Sequence, residues 1–176
     1  YYQIPFGLHW SEVTASCFME VGWDGTLLRG EGEIEESCYA IHAPIHRQLG
    51  ARANAVFHTH MPYASALSRL KDPKIKPIGQ TEVLLMKKIG YDMDYTGPAR
   101  GAEEGERLAD ILGDKKILFM GNHGVATIAP TIAEAYDLLY YIERAAQVQL
   151  YAMWTGQELL PMKDDVVQRT MNGGGQ

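Results

Sequence analysis

The segment from Lys116 to Trp154 constrains the fold most. Lys116–Met120 (KILFM) is a compact apolar run of strand length, and Val125–Ile128 is a second. The four residues between them, Gly121-Asn122-His123-Gly124, form a turn, so the two runs predict adjacent strands. Thr131 and Glu134 then make a T-x-x-E capping pair, which opens a helix predicted to reach about Trp154 and to stop before Gly156.

Upstream, Asn54–Phe57 reads as a short buried strand, and Met61-Pro62 opens a helix through Leu70. Ile41, Ile45 and Leu49 recur at four-residue intervals, predicting a helix over 38–50 that stops at Gly50. Shorter helices are expected at 82–88 and 103–112. The run Cys17–Val21, an Asp24-Gly25 turn and Leu27-Leu28 predict a hairpin. Strands and helices alternate with hairpins mixed in, so the expected class is α/β, layered around a mixed sheet. We expect one domain over residues 1–176, with 155–176 as a tail that frays at Gly173-Gly174-Gly175. The chain starts at Tyr1 rather than Met, so a preceding piece is expected.

With 176 residues, 46% of them apolar, the chain is long enough to bury a substantial core. A net charge of −6 without a basic run argues against nucleic acid as the partner, because phosphate backbones demand clustered Lys and Arg. No apolar stretch has membrane-spanning length, and no membrane partner is expected. Cys17 and Cys38 form neither a disulfide framework nor a CxxC pair. They read as small core residues in a reducing, cytoplasmic setting.

Six histidines occur, and two of them bracket a threonine in His58-Thr59-His60. Residues i and i+2 of a strand face the same side, so both imidazoles can reach one ion. Pro62 stops the strand there and leaves the pair at an edge. His123, between two glycines in the turn, is the third candidate. Three nitrogens with an open position match a catalytic zinc site, which can polarise a carbonyl oxygen or lower the pKa of bound water to about 7. Spacing alone leaves the plainer alternative open, that these are turn residues. His42 and His46, four apart on one helix face, read as partly buried core histidines. Tyr136, Tyr140, Tyr141 and Tyr151 read as packing or as an oligomer interface.

Taken together, NAVFHTHMPYASALS and KILFMGNHGVATIAPTIAEAYDLLYYIERAAQVQLYA resemble the class II aldolase/adducin family, over about Ile4 to Trp154. The resemblance implies a three-layer α/β/α fold around a mixed, largely antiparallel sheet. It also implies a homotetramer, with Zn²⁺ or another divalent metal held by His58, His60 and His123. Aldolases of this family carry a Ser-Ser-Glu stretch four residues before the His that matches His42. Here the matching stretch is Glu36-Ser37-Cys38-Tyr39-Ala40-Ile41, so the acid/base carboxylate position falls on Cys38, or on Tyr39 if the gap is placed differently, and a thiol has a very different pKa. Glu36 stands at a serine position and would repel a phosphate. Ile4-Pro5-Phe6-Gly7 resembles a second phosphate-holding turn, with Phe6 in place of a hydroxyl residue. The remaining phosphate loop is expected to precede Tyr1.

Two functions follow as expectations. One is a metal-dependent lyase, performing retro-aldol cleavage or decarboxylation on a small non-phosphorylated carbonyl or carboxylate compound. Its proton carrier would be Cys38, His42, Glu36, Glu82 or a neighbouring subunit's residue, and its substrate contacts Phe6, Gly7, Ser37 and Asn122. The other is an adducin-type binding or scaffold module that retains a structural metal.

Overall fold

The computed structural model describes residues 1–97 and 101–173. The chain divides into two compact units, Tyr1–Ala53 with Gly97–Asp110, and Asn54–Thr96 with Ile111–Gln176.

In the first unit, strands β1 (Tyr2–Gln3), β2 (Met19–Val21) and β3 (Leu27–Arg29) pair antiparallel in that order. The expected hairpin is β2–β3. Its turn is held by Asp24, whose carboxylate accepts from the backbone N–H and the hydroxyl of Thr26. Gly25 follows at φ +81°, a conformation that glycine adopts without strain. Helix α1 (Glu36–Leu49) starts two residues earlier than expected, because Glu35 caps it by accepting from the Cys38 N–H at 2.5 Å. Pro44 sits inside α1 and has no N–H to give the Ala40 carbonyl. Gly105 of α4 (Ala102–Leu112) lies against that carbonyl and the Pro44 ring, where a Cβ would collide with both.

The second unit holds a four-stranded sheet in the order β4–β7–β6–β5 (β4 Ala55–Thr59, β5 Ile89–Asp92, β6 Ile117–Met120, β7 Gly124–Ala129). β4–β7 and β6–β7 are antiparallel, and only β5–β6 is parallel. The sheet is therefore mixed and largely antiparallel, as expected. Every residue of β6 and β7 is buried, which accounts for their almost wholly apolar sequence, broken only by Thr127, whose hydroxyl donates to the Ala135 carbonyl. Helix α5 (Ile132–Trp154) is capped by the Thr131 side chain, which accepts from the Glu134 N–H at 3.2 Å. Its inner face packs Leu138, Leu139 and Ile142 into one core with Ile117, Phe119 and Val125 of the sheet. Helix α2 (Pro62–Leu67) has Pro at its start. The Glu143 carboxylate of α5 accepts from the N–H groups of Tyr63 and Ala64 at 3.0 and 2.8 Å, satisfying donors at the α2 N-terminus. Gln149, fully buried, bridges the Lys74 carbonyl and the Lys76 N–H and ties the 74–76 segment to α5.

Three further expectations change: helix α2, expected to run through Leu70, ends at Leu67. The helix expected at 82–88 is α3 (Gln80–Met86), with Gly79 at its cap. The region expected as a tail contains helix α6 (Asp164–Gly173), which packs on α3 and buries Val167. Residues 174–176 of the expected frayed end lie outside the described residues.

Candidate metal centre

β4 and β7 pair with Thr59 opposite Val125 and His58 opposite Ala126. This register brings the end of β4 beside the turn that joins β6 to β7. The ring centroids of His58, His60 and His123 form a nearly equilateral triangle, with 58–60 at 5.0 Å, 58–123 at 4.7 Å and 60–123 at 4.8 Å. Each residue offers a ligand atom, and these atoms lie within 4.8 Å of one another. No other group of three or more His, Cys, Asp or Glu among the described residues is arranged to hold an ion.

Zinc with nitrogen ligands at about 2.0–2.1 Å in a tetrahedron sets its nitrogens roughly 3.4 Å apart. Small ring rotations would draw the triangle in to that size. Nδ1 of His58 lies 3.2 Å from the Val125 carbonyl. A carbonyl can only accept, so Nδ1 carries the proton and Nε2 keeps its lone pair for an ion. Gly124 packs against the Thr59 carbonyl, and a Cβ there would stand 2.7 Å from Cδ2 of His60. The close approach of β7 to the His60 ring thus depends on a residue without a side chain.

The His123 turn is anchored at every residue. The Gly121 N–H donates to the Asp92 carbonyl at 2.6 Å, the Asn122 N–H to the Ser68 carbonyl at 3.1 Å, and the His123 N–H to the Met120 carbonyl at 3.1 Å. The His123 carbonyl accepts from Arg69 at 3.4 Å. Asn122 takes φ +56°, a left-handed conformation that Asn tolerates better than most residues. The backbone that carries His123 is therefore fixed without help from a ligand. Tyr95, absent from the sequence expectations, brings its ring to 5.4 Å from that of His123. No periodicity or motif marks Tyr95, which follows the end of β5 in an irregular segment.

Glu82, at the third position of α3, is buried, and its carboxylate folds back over Gly79 outside the histidine triangle. Asn122 is exposed in the His123 turn. Phe6, Gly7, Glu36, Ser37, Cys38 and His42 all belong to the first unit. Phe6 and Gly7 are exposed there, with Gly7 at φ +86°. Glu36 is exposed at the start of α1, and the Ser37 hydroxyl donates to the Glu35 carboxylate at 2.7 Å. Burial, with the Glu35 charge adding to it, pushes the Cys38 thiol up to about 11.

His42 and His46 lie along one side of α1 with ring centroids 6.3 Å apart and tilted by 40°. Burial, with the charge of His46 as a smaller cause, lowers His42 to about 4. A neutral, half-buried histidine makes the folded state bind fewer protons than the unfolded chain between about pH 6.5 and 4. Stability should therefore be full above pH 6.5 and decline as the pH falls through that window, by about 2–3 kcal/mol. Urea midpoints measured from pH 7.5 to 4.5 test this. A His42→Gln variant should flatten the slope by that amount, and an unchanged slope would contradict it.

Residues 1–150 match the model of the Class II Aldolase and Adducin N-terminal domain family. A candidate aldolase class 2 protein of Caulobacter vibrioides is 30% identical over 93% of this chain and 63% of its own length. Human gamma-adducin is 32% identical over 85% of this chain and 21% of its own. The crystal structure of an aldolase II superfamily protein from Pseudomonas syringae superposes with a TM-score of 0.89 at 32% identity, covering 97% of this chain and 69% of that one. The chain thus belongs to the class II aldolase/adducin family and has its fold. It spans just under two thirds of the length of the Caulobacter relative.

Proposed function

We propose that the chain is a divalent-metal-dependent carbon–carbon lyase acting on a small non-phosphorylated carbonyl or carboxylate compound, with zinc as the ion. The observation that carries this reading is the histidine triangle, built from a strand end and an anchored turn. His58, His60 and His123 would hold the ion, which when bound would polarise a carbonyl oxygen. The chain's own residues supply orientation and a hydroxyl. The Val125 carbonyl sets the tautomer of His58, and the turn's backbone bonds hold His123. We assign to Tyr95 a hydrogen bond to the substrate beside His123. Cys38, a neutral thiol at pH 7, is a poor substitute for a carboxylate base. The preference against phosphate rests on Glu36, on Phe6, and on the Ser37 hydroxyl being engaged by Glu35.

That same neutral thiol favours a second reading, an adducin-type binding module with a structural metal. Metal analysis followed by a carbonyl-compound screen, with and without chelator, separates the two. The lyase reading predicts bound metal and turnover that stops with chelator and returns with zinc. It also predicts that Tyr95→Phe slows turnover by roughly 10²-fold with metal content unchanged. A protein that neither contains nor takes up metal would sink the lyase, and chelator-sensitive turnover would sink the scaffold.

A further inference from the structure

Where the chain leaves β4 for α2, one histidine of the triangle depends on a support far away in sequence. His60 stands one residue past the last ladder pair, Thr59–Val125. Helix α2 begins two residues later, and Met61 at its cap position provides no side-chain cap. Pro62 has no N–H to satisfy. The first donors of the helix are therefore the N–H groups of Tyr63 and Ala64. Both go to the Glu143 carboxylate of α5, at 3.0 and 2.8 Å. One carboxylate from another helix thus does the capping that Met61 does not, and its negative charge suits the positive end of the helix.

The other end of α2 reaches the His123 turn. The Ser68 carbonyl accepts from the Asn122 N–H at 3.1 Å, and Arg69 donates to the His123 carbonyl at 3.4 Å. Between these ends Ala64 and Leu67 are fully buried in the core that α5 lines. Helix α2 is therefore a short strut, with His60 leading into one end and the His123 turn bonded to the other. Its placement sets the gap between the two rings, 4.8 Å between centroids.

We propose that Glu143 is a positioning residue of the metal centre, acting through the α2 N-terminus on His60. This rests on the reading of the histidine triangle as a metal site. Without both bonds the first turn of α2 can shift, and the His60 imidazole then leaves the place that His58 and His123 require. Glu143→Gln keeps the shape of the side chain and alters its chemistry. One carbonyl oxygen still accepts, while the amide NH₂ meets a backbone N–H, donor against donor.

Zinc titration by competition with a chromophoric chelator tests this, with metal-free thermal unfolding as the check on folding. Glu143→Gln should bind zinc about 10–100-fold more weakly, the range for groups that orient a ligand. In a His60→Ala background the same substitution should cost little, because the ligand it positions is gone. Losses that simply add in the double variant would overturn the proposal, since a general weakening of the fold acts whether or not His60 is present. The wild type supplies a second measurement that needs no variant to fold. Coupling is reciprocal, so saturating zinc should slow amide exchange at Tyr63 and Ala64 by up to that same factor. The Lys76 N–H, which α5 holds through Gln149, should change little. Equal slowing at Lys76, or none at Tyr63 and Ala64, would contradict the proposal. A wild type that takes up no zinc removes the metal reading and this proposal with it. A wild type that binds zinc no more tightly than Glu143→Gln overturns the proposal alone.

Discussion

Replacing His123 with alanine is expected to lower affinity for zinc by two to three orders of magnitude, roughly 3–4 kcal/mol, while leaving the fold in place. The expectation follows from how the three rings are held. His58 lies in β4 and His60 directly follows its end, and the two would remain as a two-nitrogen pair, too few for a firm tetrahedral site. The turn that carries His123 is fixed by backbone bonds to Asp92, Ser68 and Met120, none of which uses the imidazole. Removing the ring should therefore cost ligation and spare the turn. Competition titration against a chromophoric chelator measures the affinity, and thermal unfolding without metal checks the fold. Unchanged affinity would mean that the third ligand lies elsewhere.

Gly124→Ala is expected to damage the same centre without removing any ligand. The added methyl would meet the Thr59 carbonyl and the His60 ring, and Thr59 is locked in register with Val125. The strand pair must spread or His60 must turn away. Overpacking of this kind costs about 1–3 kcal/mol, which for a domain of this size lowers the melting temperature by roughly 2–4 °C per kcal/mol. Displacement of His60 should weaken metal binding by about 10–100-fold, the range for changes to groups that position ligands. A metal-free Tm and a metal titration on the one variant separate the two effects. A variant with wild-type affinity would show that β7 need not approach His60 so closely.

Most of the sheet that builds the centre was legible in sequence. β6 and β7 are buried on both faces, so their apolar runs stand out, and the Thr131 cap marks the start of α5. The His-x-His pair was visible because strand periodicity alone puts both rings on one side. Other elements depend on partners distant in the chain. β5 is a four-residue strand containing a glycine, and its extended form rests on parallel pairing with β6, some 28 positions away. α6 is polar enough to pass for a tail, and it is a packed element through its contact with α3. α1 carries Pro44, a helix breaker by propensity, and begins at a Glu cap rather than a Ser, Thr, Asp or Asn. Tyr95 comes beside His123 only through the path of the chain after β5. The role of Asn122 as the left-handed residue of the turn likewise needed the backbone to be seen.

Three histidines of the second unit are proposed to form one metal centre. X-ray absorption at the metal edge of zinc-loaded protein tests it most directly. The expected coordination is three imidazole nitrogens at about 2.0–2.1 Å, completed by a light-atom ligand, with one imidazole lost in His123→Ala. A shell containing sulfur at about 2.3 Å, or one unaltered by the His123 substitution, would contradict it.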